Sequence, residues 1–105
     1  MELKIYWTDF AKKELQKIFN YYKENSSLNV ARNLVIGITK EVTKLQKQPT
    51  IGQREELLEN SIKEYRYFIY KSYKIIYWIN LKDNSIEVFD VFDSRQNPVN
   101  IKRTK

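Results

Sequence analysis

The spacing of apolar residues predicts an α+β chain in the order strand, helix, helix, strand, strand, strand. Apolar and polar side chains alternate from Leu3 to Trp7, which predicts a short first strand. Two segments of helical periodicity follow, and three blocks of β-branched and aromatic residues occupy the second half of the chain. Because each helix has one apolar stripe, we expect both helices to pack against a sheet.

The two helices are predicted to form an antiparallel hairpin. Thr8 suits an N-cap, and the first helix is expected from about Asp9 to Lys23 or Glu24. After a short polar link, a second apolar stripe runs from Leu28 to Leu45, and Pro49 ends the helical pattern. A link of a few residues brings consecutive helices side by side.

The aromatic blocks predict an antiparallel meander of three strands. We expect these strands at roughly Tyr65–Lys71, Tyr73–Asn80 and Ile86–Phe92. The connector, Pro49–Ser61, is expected to hold one helical turn around Glu55–Leu58. Its acidic residues are interpreted as a solvated turn and not as a metal site: Glu55, Glu56 and Glu59.

Alternation along the middle strand divides its side chains between two faces of the sheet. One face is expected to carry Tyr73, Ile75, Tyr77 and Ile79. The other is expected to carry Lys74, Ile76, Trp78 and Asn80. The helical hairpin can cover only one face, so the face with Lys74 is predicted to stay open and to be the working face.

Composition narrows the classes of function. A chain of 105 residues fits a single domain, 1–105, and its lack of cysteine fits a reducing cytoplasm and no disulfide. Without histidine or cysteine there is no imidazole base, no thiolate nucleophile and no His or Cys metal ligand. We expect no cofactor, no metal and no membrane span. The net charge of +6 and the basic tail, 94–105, favour a polyanionic or acidic partner.

Several segments, taken in order, resemble toxins of the RelE/ParE superfamily, the toxic halves of bacterial type II toxin–antitoxin pairs. The resemblance rests on IYWTDFAKKELQKIFNYY at the start, the segment KLQKQPTIGQ, the strands YRYF and YKIIY, and VFDSRQNP near the end. It covers nearly the whole chain. It implies an α+β fold with a helical hairpin on an antiparallel sheet, and a cognate antitoxin that neutralises the protein.

The resemblance also implies two alternative targets. RelE-type members cut messenger RNA on the ribosome without a metal, whereas ParE-type members poison DNA gyrase. By motif, Lys74 in YKIIY matches a position where RelE-type enzymes carry an arginine, Arg95 in DSRQ matches a second basic position, and Arg66 in YRYF lies near a third. These three residues are the candidate catalytic or phosphate-binding site.

The sequence departs from the RelE pattern in its proton-handling residues. After Arg95 there is neither Tyr nor His, and Asp93 stands where many ParE-like sequences have His. Lysine at position 74 keeps the charge but loses the planar two-point grip of arginine on phosphate. The target is therefore left open, with a lean toward a ParE-like gyrase poison. A non-toxic domain that binds nucleic acid is a further alternative.

Each candidate cation also has an ordinary interpretation. Arg66 and Lys74 can be solvated charges on a sheet, and Arg95 can pair with Asp90 or Asp93 to hold the last turn. The tyrosines of the sheet can be packing residues whose hydroxyls are satisfied. The expected partners are an antitoxin segment with acidic residues, and either gyrase or the ribosome with its messenger RNA.

Overall fold

The structure, a computed structural model, describes residues 3–55 and 63–95, and within them the predicted order of elements is confirmed. One short strand is added before the meander. The elements are β1 (Lys4–Trp7), α1 (Asp9–Asn25), α2 (Leu28–Thr43), a 3₁₀ turn (Lys44–Gln46), β2 (Gln53–Arg54), β3 (Tyr65–Tyr70), β4 (Tyr73–Asn80) and β5 (Ser85–Asp93).

Both helices begin where the sequence places a hydroxyl. The Oγ1 of Thr8 accepts a hydrogen bond from the N–H of Ala11 at 3.1 Å, and the Oγ of Ser27 accepts one from the N–H of Val30 at 3.1 Å. Each bond satisfies one of the amides that a helix leaves unpaired in its first turn. Neither helix has the length and apolar content needed to cross a membrane.

The sheet has five strands in the order β1-β5-β4-β3-β2. β3, β4 and β5 form the predicted antiparallel meander, and β2 adds to its edge as an antiparallel partner of β3. β1 pairs in parallel with β5, which the sequence did not reveal. The β4–β5 register breaks between Ile76 and Tyr77, because Ile76 pairs with Asp90 and Tyr77 pairs with Val88. This irregularity leaves Phe89 as the extra residue of a β-bulge.

The main core lies between the helical hairpin and one face of the sheet. Its buried members are Ala11, Leu34, Ile38, Val42, Tyr73, Ile75, Val88 and Val91. A second buried cluster on the same side contains Leu3, Leu45, Tyr77 and Ile86. The predicted division of β4 into two faces is therefore confirmed, with Tyr73, Ile75 and Tyr77 beneath the helices.

The opposite face of the sheet is less open than expected. Ile76 is fully buried there, in a cluster with Tyr65 and Phe92 that also packs against partly buried Tyr67, Trp78 and Phe89. The aromatic side chains are wide enough to close over the branched residue between them. Lys74 therefore lies at the border of an apolar cluster and not on an open polar surface.

Residues 49–55, here called the strap, run from the end of the helical layer to the edge of the sheet. The hydroxyl of Tyr77 donates to the carbonyl of Pro49 at 2.7 Å and accepts from the N–H of Gly52 at 3.0 Å. A Cβ at position 52 would lie only 2.5 Å from the Tyr77 hydroxyl, so this close approach requires glycine.

The strap ends beside β3 at the edge of the sheet. Gln53 and Arg54 pair with β3, and the N–H of Glu55 donates to the carbonyl of Tyr65 at 2.8 Å. Glu55, the first residue of the predicted helical turn, is therefore bonded to the sheet through its N–H. The rest of the predicted turn, residues 56–58, lies outside the described residues.

Candidate functional site

Lys74 is held in place by a carboxylate and an aromatic ring. Its Nζ lies 2.5 Å from Oε2 of Glu55 and 4.2 Å from the centroid of the Tyr67 ring. The Lys74 side chain is 17% exposed and the Glu55 side chain 3% exposed. Opposite charges attract more strongly where little water lies between them, so this ion pair fixes the ammonium against the sheet.

Arg66 is bound to the strap. Its Nη1 donates to the carbonyl of Gly52 at 2.9 Å, and its Nη2 lies 3.1 Å from Oε2 of Glu64. The Arg66 side chain is 19% exposed. In this arrangement the guanidinium stabilises the crossing of the strap over the sheet edge, and both of its terminal nitrogens already have a hydrogen-bond partner.

Arg95 follows the last strand and forms a two-point ion pair with Asp93. Its Nε lies 2.9 Å from Oδ1 of Asp93 and its Nη2 lies 2.5 Å from Oδ2. This is the pairing that the ordinary interpretation of Arg95 predicted. The guanidinium holds the pKa of the Asp93 carboxyl below its usual range. Arg95 is still 73% exposed, so it is the most accessible of the three candidate cations.

The three candidate cations do not share one face of the sheet. Arg66 pairs with Tyr77 in the β3–β4 register and lies on the helix side, whereas Lys74 pairs with Ile69 and Phe92 and lies on the other side. The physical reason is the two-residue connection between β3 and β4. It fixes the register, and strict alternation then separates positions 66 and 74.

Arg95 also lies apart from Lys74, on the helix side of the sheet. Asp93, its partner, pairs with Tyr73 of the helix face. Arg95 lines a cavity of about 410 Å³ between α1 and the ends of β4 and β5, and Lys74 does not contribute to that cavity. Lys74 and Arg95 therefore lie on opposite sides of the sheet and do not share this cavity, while a catalytic or phosphate-binding role for each cation stays a prediction.

Two tyrosines meet in the cavity beside Arg95. The hydroxyl of Tyr73 donates to the hydroxyl of Tyr22 at 3.3 Å. Burial, and then the bond to Tyr22, raise the pKa of Tyr73 well above its usual value. Tyr21 packs edge-to-face on Tyr22 with ring centroids 5.2 Å apart. At neutral pH Arg95 supplies a cation to this cavity, and the raised pKa of Tyr73 keeps its phenol protonated, so this phenol does not act as a base.

Other sheet tyrosines have the same protonation behaviour. Burial raises the pKa of Tyr77, whose hydroxyl is committed to the strap, and burial followed by the charge of Glu87 raises the pKa of Tyr65. A raised pKa keeps each phenol neutral near pH 7. Tyr65 therefore serves packing, and Tyr77 serves both packing and hydrogen bonding, as their ordinary interpretation predicted.

Sequence reasoning missed two residues of these sites. Glu55 was assigned to a solvated turn, yet it is buried and paired with Lys74. Tyr22 was not among the candidate residues, yet its hydroxyl accepts a hydrogen bond from that of Tyr73. The alternation of Gln53 and Glu55 could have placed Glu55 beside Lys74, but only if the short strand β2 had been recognised. Glu56 and Glu59 lie outside the described residues.

Three solved structures resemble this chain closely in fold. The chromosomal ParDE toxin–antitoxin system from P. aeruginosa includes a chain that superposes with a TM-score of 0.71 at 16% identity, over 88% of this chain and 96% of that chain. The RelBE2 toxin–antitoxin complex from Mycobacterium tuberculosis gives a TM-score of 0.61 at 14% identity, over 89% and 99%. A mutant of the toxin RelE from E. coli in the free state gives 0.60 at 17% identity, over 98% of both chains.

Sequence comparison supplies the family. A search of curated proteins finds no significant match. The family model for the ParE toxin of the type II toxin–antitoxin system parDE matches residues 5–98, which is most of the chain. The matched range contains the helical hairpin, and the fold is similar to that of the three solved structures. This chain therefore belongs to the ParE toxin family of type II toxin–antitoxin systems.

Proposed function

We propose that the protein inhibits bacterial growth by acting on DNA gyrase and that a cognate antitoxin neutralises it. The observation that carries this proposal is the match of the ParE family model over residues 5–98. ParE-type toxins act on gyrase, so family membership supports that target over the ribosome. The net charge of +6 suits an acidic antitoxin segment and a target that works on DNA.

The positions of the cations also support binding over cleavage. Metal-free RNA cleavage needs a proton acceptor, a proton donor and positive charge around a single phosphate. Arg66 and Lys74 lie on opposite faces of the sheet, and Arg95 lies in a separate cavity. Tyr73, which lines the same cavity as Arg95, has a raised pKa, which keeps its proton in place at neutral pH.

The cavity at Arg95 supports the alternative function, a RelE-like cleavage of messenger RNA on the ribosome. An exposed guanidinium and the Tyr22 and Tyr73 hydroxyls lie together there. They could bind a phosphate and give a proton to a leaving oxygen. Under this alternative, Arg95→Ala abolishes cleavage, whereas Arg32→Ala, on the α2 surface, leaves it unchanged.

Induction of the gene in bacteria that lack the antitoxin tests the toxin activity. We expect growth arrest on induction and recovery when the neighbouring antitoxin gene is expressed with it. Primer extension on messenger RNA from the arrested cells separates the two targets. New cuts that appear within minutes and depend on Arg95 would favour the ribosome, while intact messenger RNA with altered plasmid supercoiling is the expected result. Unimpaired growth at good expression of folded protein would contradict the proposal.

A further inference from the structure

The contact between Glu55 and Lys74 has the form of a self-inhibited anion site. Glu55 occupies the position beside the ammonium that an external anion would need, with its Oε2 2.5 Å from Nζ of Lys74. Its side chain is 3% exposed, so it is a built-in counter-ion and not a transient surface partner. Removing either charge would break this ion pair in a place with little water.

The strap delivers this carboxylate by a short and local set of bonds. β2 contains only Gln53 and Arg54, and the N–H of Glu55 adds one bond to the carbonyl of Tyr65. The side chain of Gln53 accepts from the hydroxyl of Tyr67 at 2.9 Å, on the same face as Lys74. A two-residue edge strand is among the least stable pieces of a sheet, so this end of the strap can open without unfolding the core.

Opening the strap would uncover a cation and an aromatic ring together. Lys74 lies 4.2 Å from the Tyr67 ring centroid, and Gln53 and Glu55 are the strap residues that contact these two side chains. A cation beside a tyrosine ring suits the phosphate and the base of a single-stranded nucleic acid. An acidic peptide would use the cation but would gain nothing from the ring.

We propose that Glu55 is an autoinhibitory group that masks Lys74 and that release of the strap exposes a site for single-stranded nucleic acid. The proposal rests on the anion-binding role expected of Lys74 and does not depend on the gyrase target. Growth arrest by the folded wild-type protein would therefore support the toxin function whether or not Glu55 masks Lys74.

The test measures the salt dependence of binding to a fluorescent single-stranded oligothymidylate. Glu55→Gln adds one available lysine, so the slope of log K against log salt concentration is expected to steepen by about 0.7. The double variant Glu55→Gln, Lys74→Gln should return to the wild-type slope. Glu41→Gln is the matched control, because it also removes one acid and releases a lysine, Lys44, that is already 68% exposed.

The outcomes separate the mask from general charge effects. An unchanged slope for folded Glu55→Gln, or an equal change in Glu41→Gln, would overturn the proposal. An equal gain in affinity for polyglutamic acid, at the same salt, would overturn the assignment to nucleic acid.

If Glu55→Gln does not fold, hydrogen exchange on the wild type decides instead. The Glu55 amide should exchange faster when the oligothymidylate is bound, and unchanged exchange at saturation would reject the mask.

Discussion

A single buried hydroxyl, that of Tyr77, connects the sheet to the strap. It donates to the Pro49 carbonyl and accepts from the Gly52 N–H, and Arg66 holds the carbonyl of the same glycine. The proline and glycine of the segment KLQKQPTIGQ thus have a physical role, because the chain must pass very close to a tyrosine there.

Removing that hydroxyl should destabilise the fold. Tyr77→Phe keeps the ring but leaves the buried groups of Pro49 and Gly52 without their partner, so the free energy of unfolding should fall by about 1–3 kcal/mol. Urea denaturation measures the change. Tyr67→Phe is the control, since its bond to Gln53 is exposed and should contribute less. A loss in Tyr77→Phe no larger than in the control would contradict the role given to Tyr77.

The pair of Asp93 and Arg95 predicts an acid-dependent contribution to stability. The pKa of Asp93 is lowered in the folded protein, so its carboxylate stabilises the fold above its unfolded pKa of about 3.9, and this contribution is lost as the pH falls through the folded pKa. Asp93→Asn should therefore be less stable than wild type at neutral pH, and the gap should narrow in acid. A gap in the free energy of unfolding that is constant with pH would refute this.

At the residue scale, the sequence predicted the caps and the identity of the cations better than their surroundings. Thr8 was identified from local chemistry alone, because an N-cap bond involves residues three apart. The partners of Lys74 and Arg66 depend on which chain segment crosses the sheet edge. Such long-range contacts leave no periodic signal in a single sequence.

The contact of α2 with β3 depends on a glycine within the helix. A Cβ at Gly37 would overlap the Tyr70 hydroxyl and lie 2.5 Å from its Cζ, so a side chain there would require Tyr70 to move. Tyr70 is the last residue of β3 and packs against the main core. The glycine therefore sets how near the helical layer comes to this strand.

Gly37→Ala should destabilise the protein although alanine is the better helix former. In the Tyr70→Ala background the clash is gone, and the same substitution should stabilise by up to about 1 kcal/mol through helix propensity alone. The double-mutant cycle, measured by urea denaturation, reports this reversal of sign. A stabilising Gly37→Ala in the wild-type background would show that the tyrosine moves aside at no cost.

At the element scale, periodicity located both helices and the three meander strands to within a few residues. Periodicity did not reveal β2, because a strand of two residues is too short to show an alternation of apolar and polar side chains. The acidic residues that follow β2 favoured the prediction of a turn. Periodicity also could not show that β1 pairs in parallel with β5. The helical hairpin carries the chain from β1 at one edge of the sheet to β2 at the other edge. The strands that follow then return one by one until β5 lies beside β1.

At the scale of the whole molecule, the sheet separates the candidate cations into distinct environments. Lys74 lies under the strap, Arg66 holds the strap, and Arg95 lies in the cavity beside α1. The order of elements was predictable from the chain, but the division of the cations required the β3–β4 register. The candidate cations therefore lie at separate places, whereas a nuclease would need them at one converged site.

Supercoiling of relaxed plasmid by purified gyrase, with increasing amounts of the purified toxin, is the most direct test of the proposed target. We expect loss of supercoiling and its restoration by the cognate antitoxin. The same preparation should leave ribosome-bound messenger RNA intact. Full gyrase activity in the presence of a preparation that cuts ribosome-bound messenger RNA would contradict gyrase as the target.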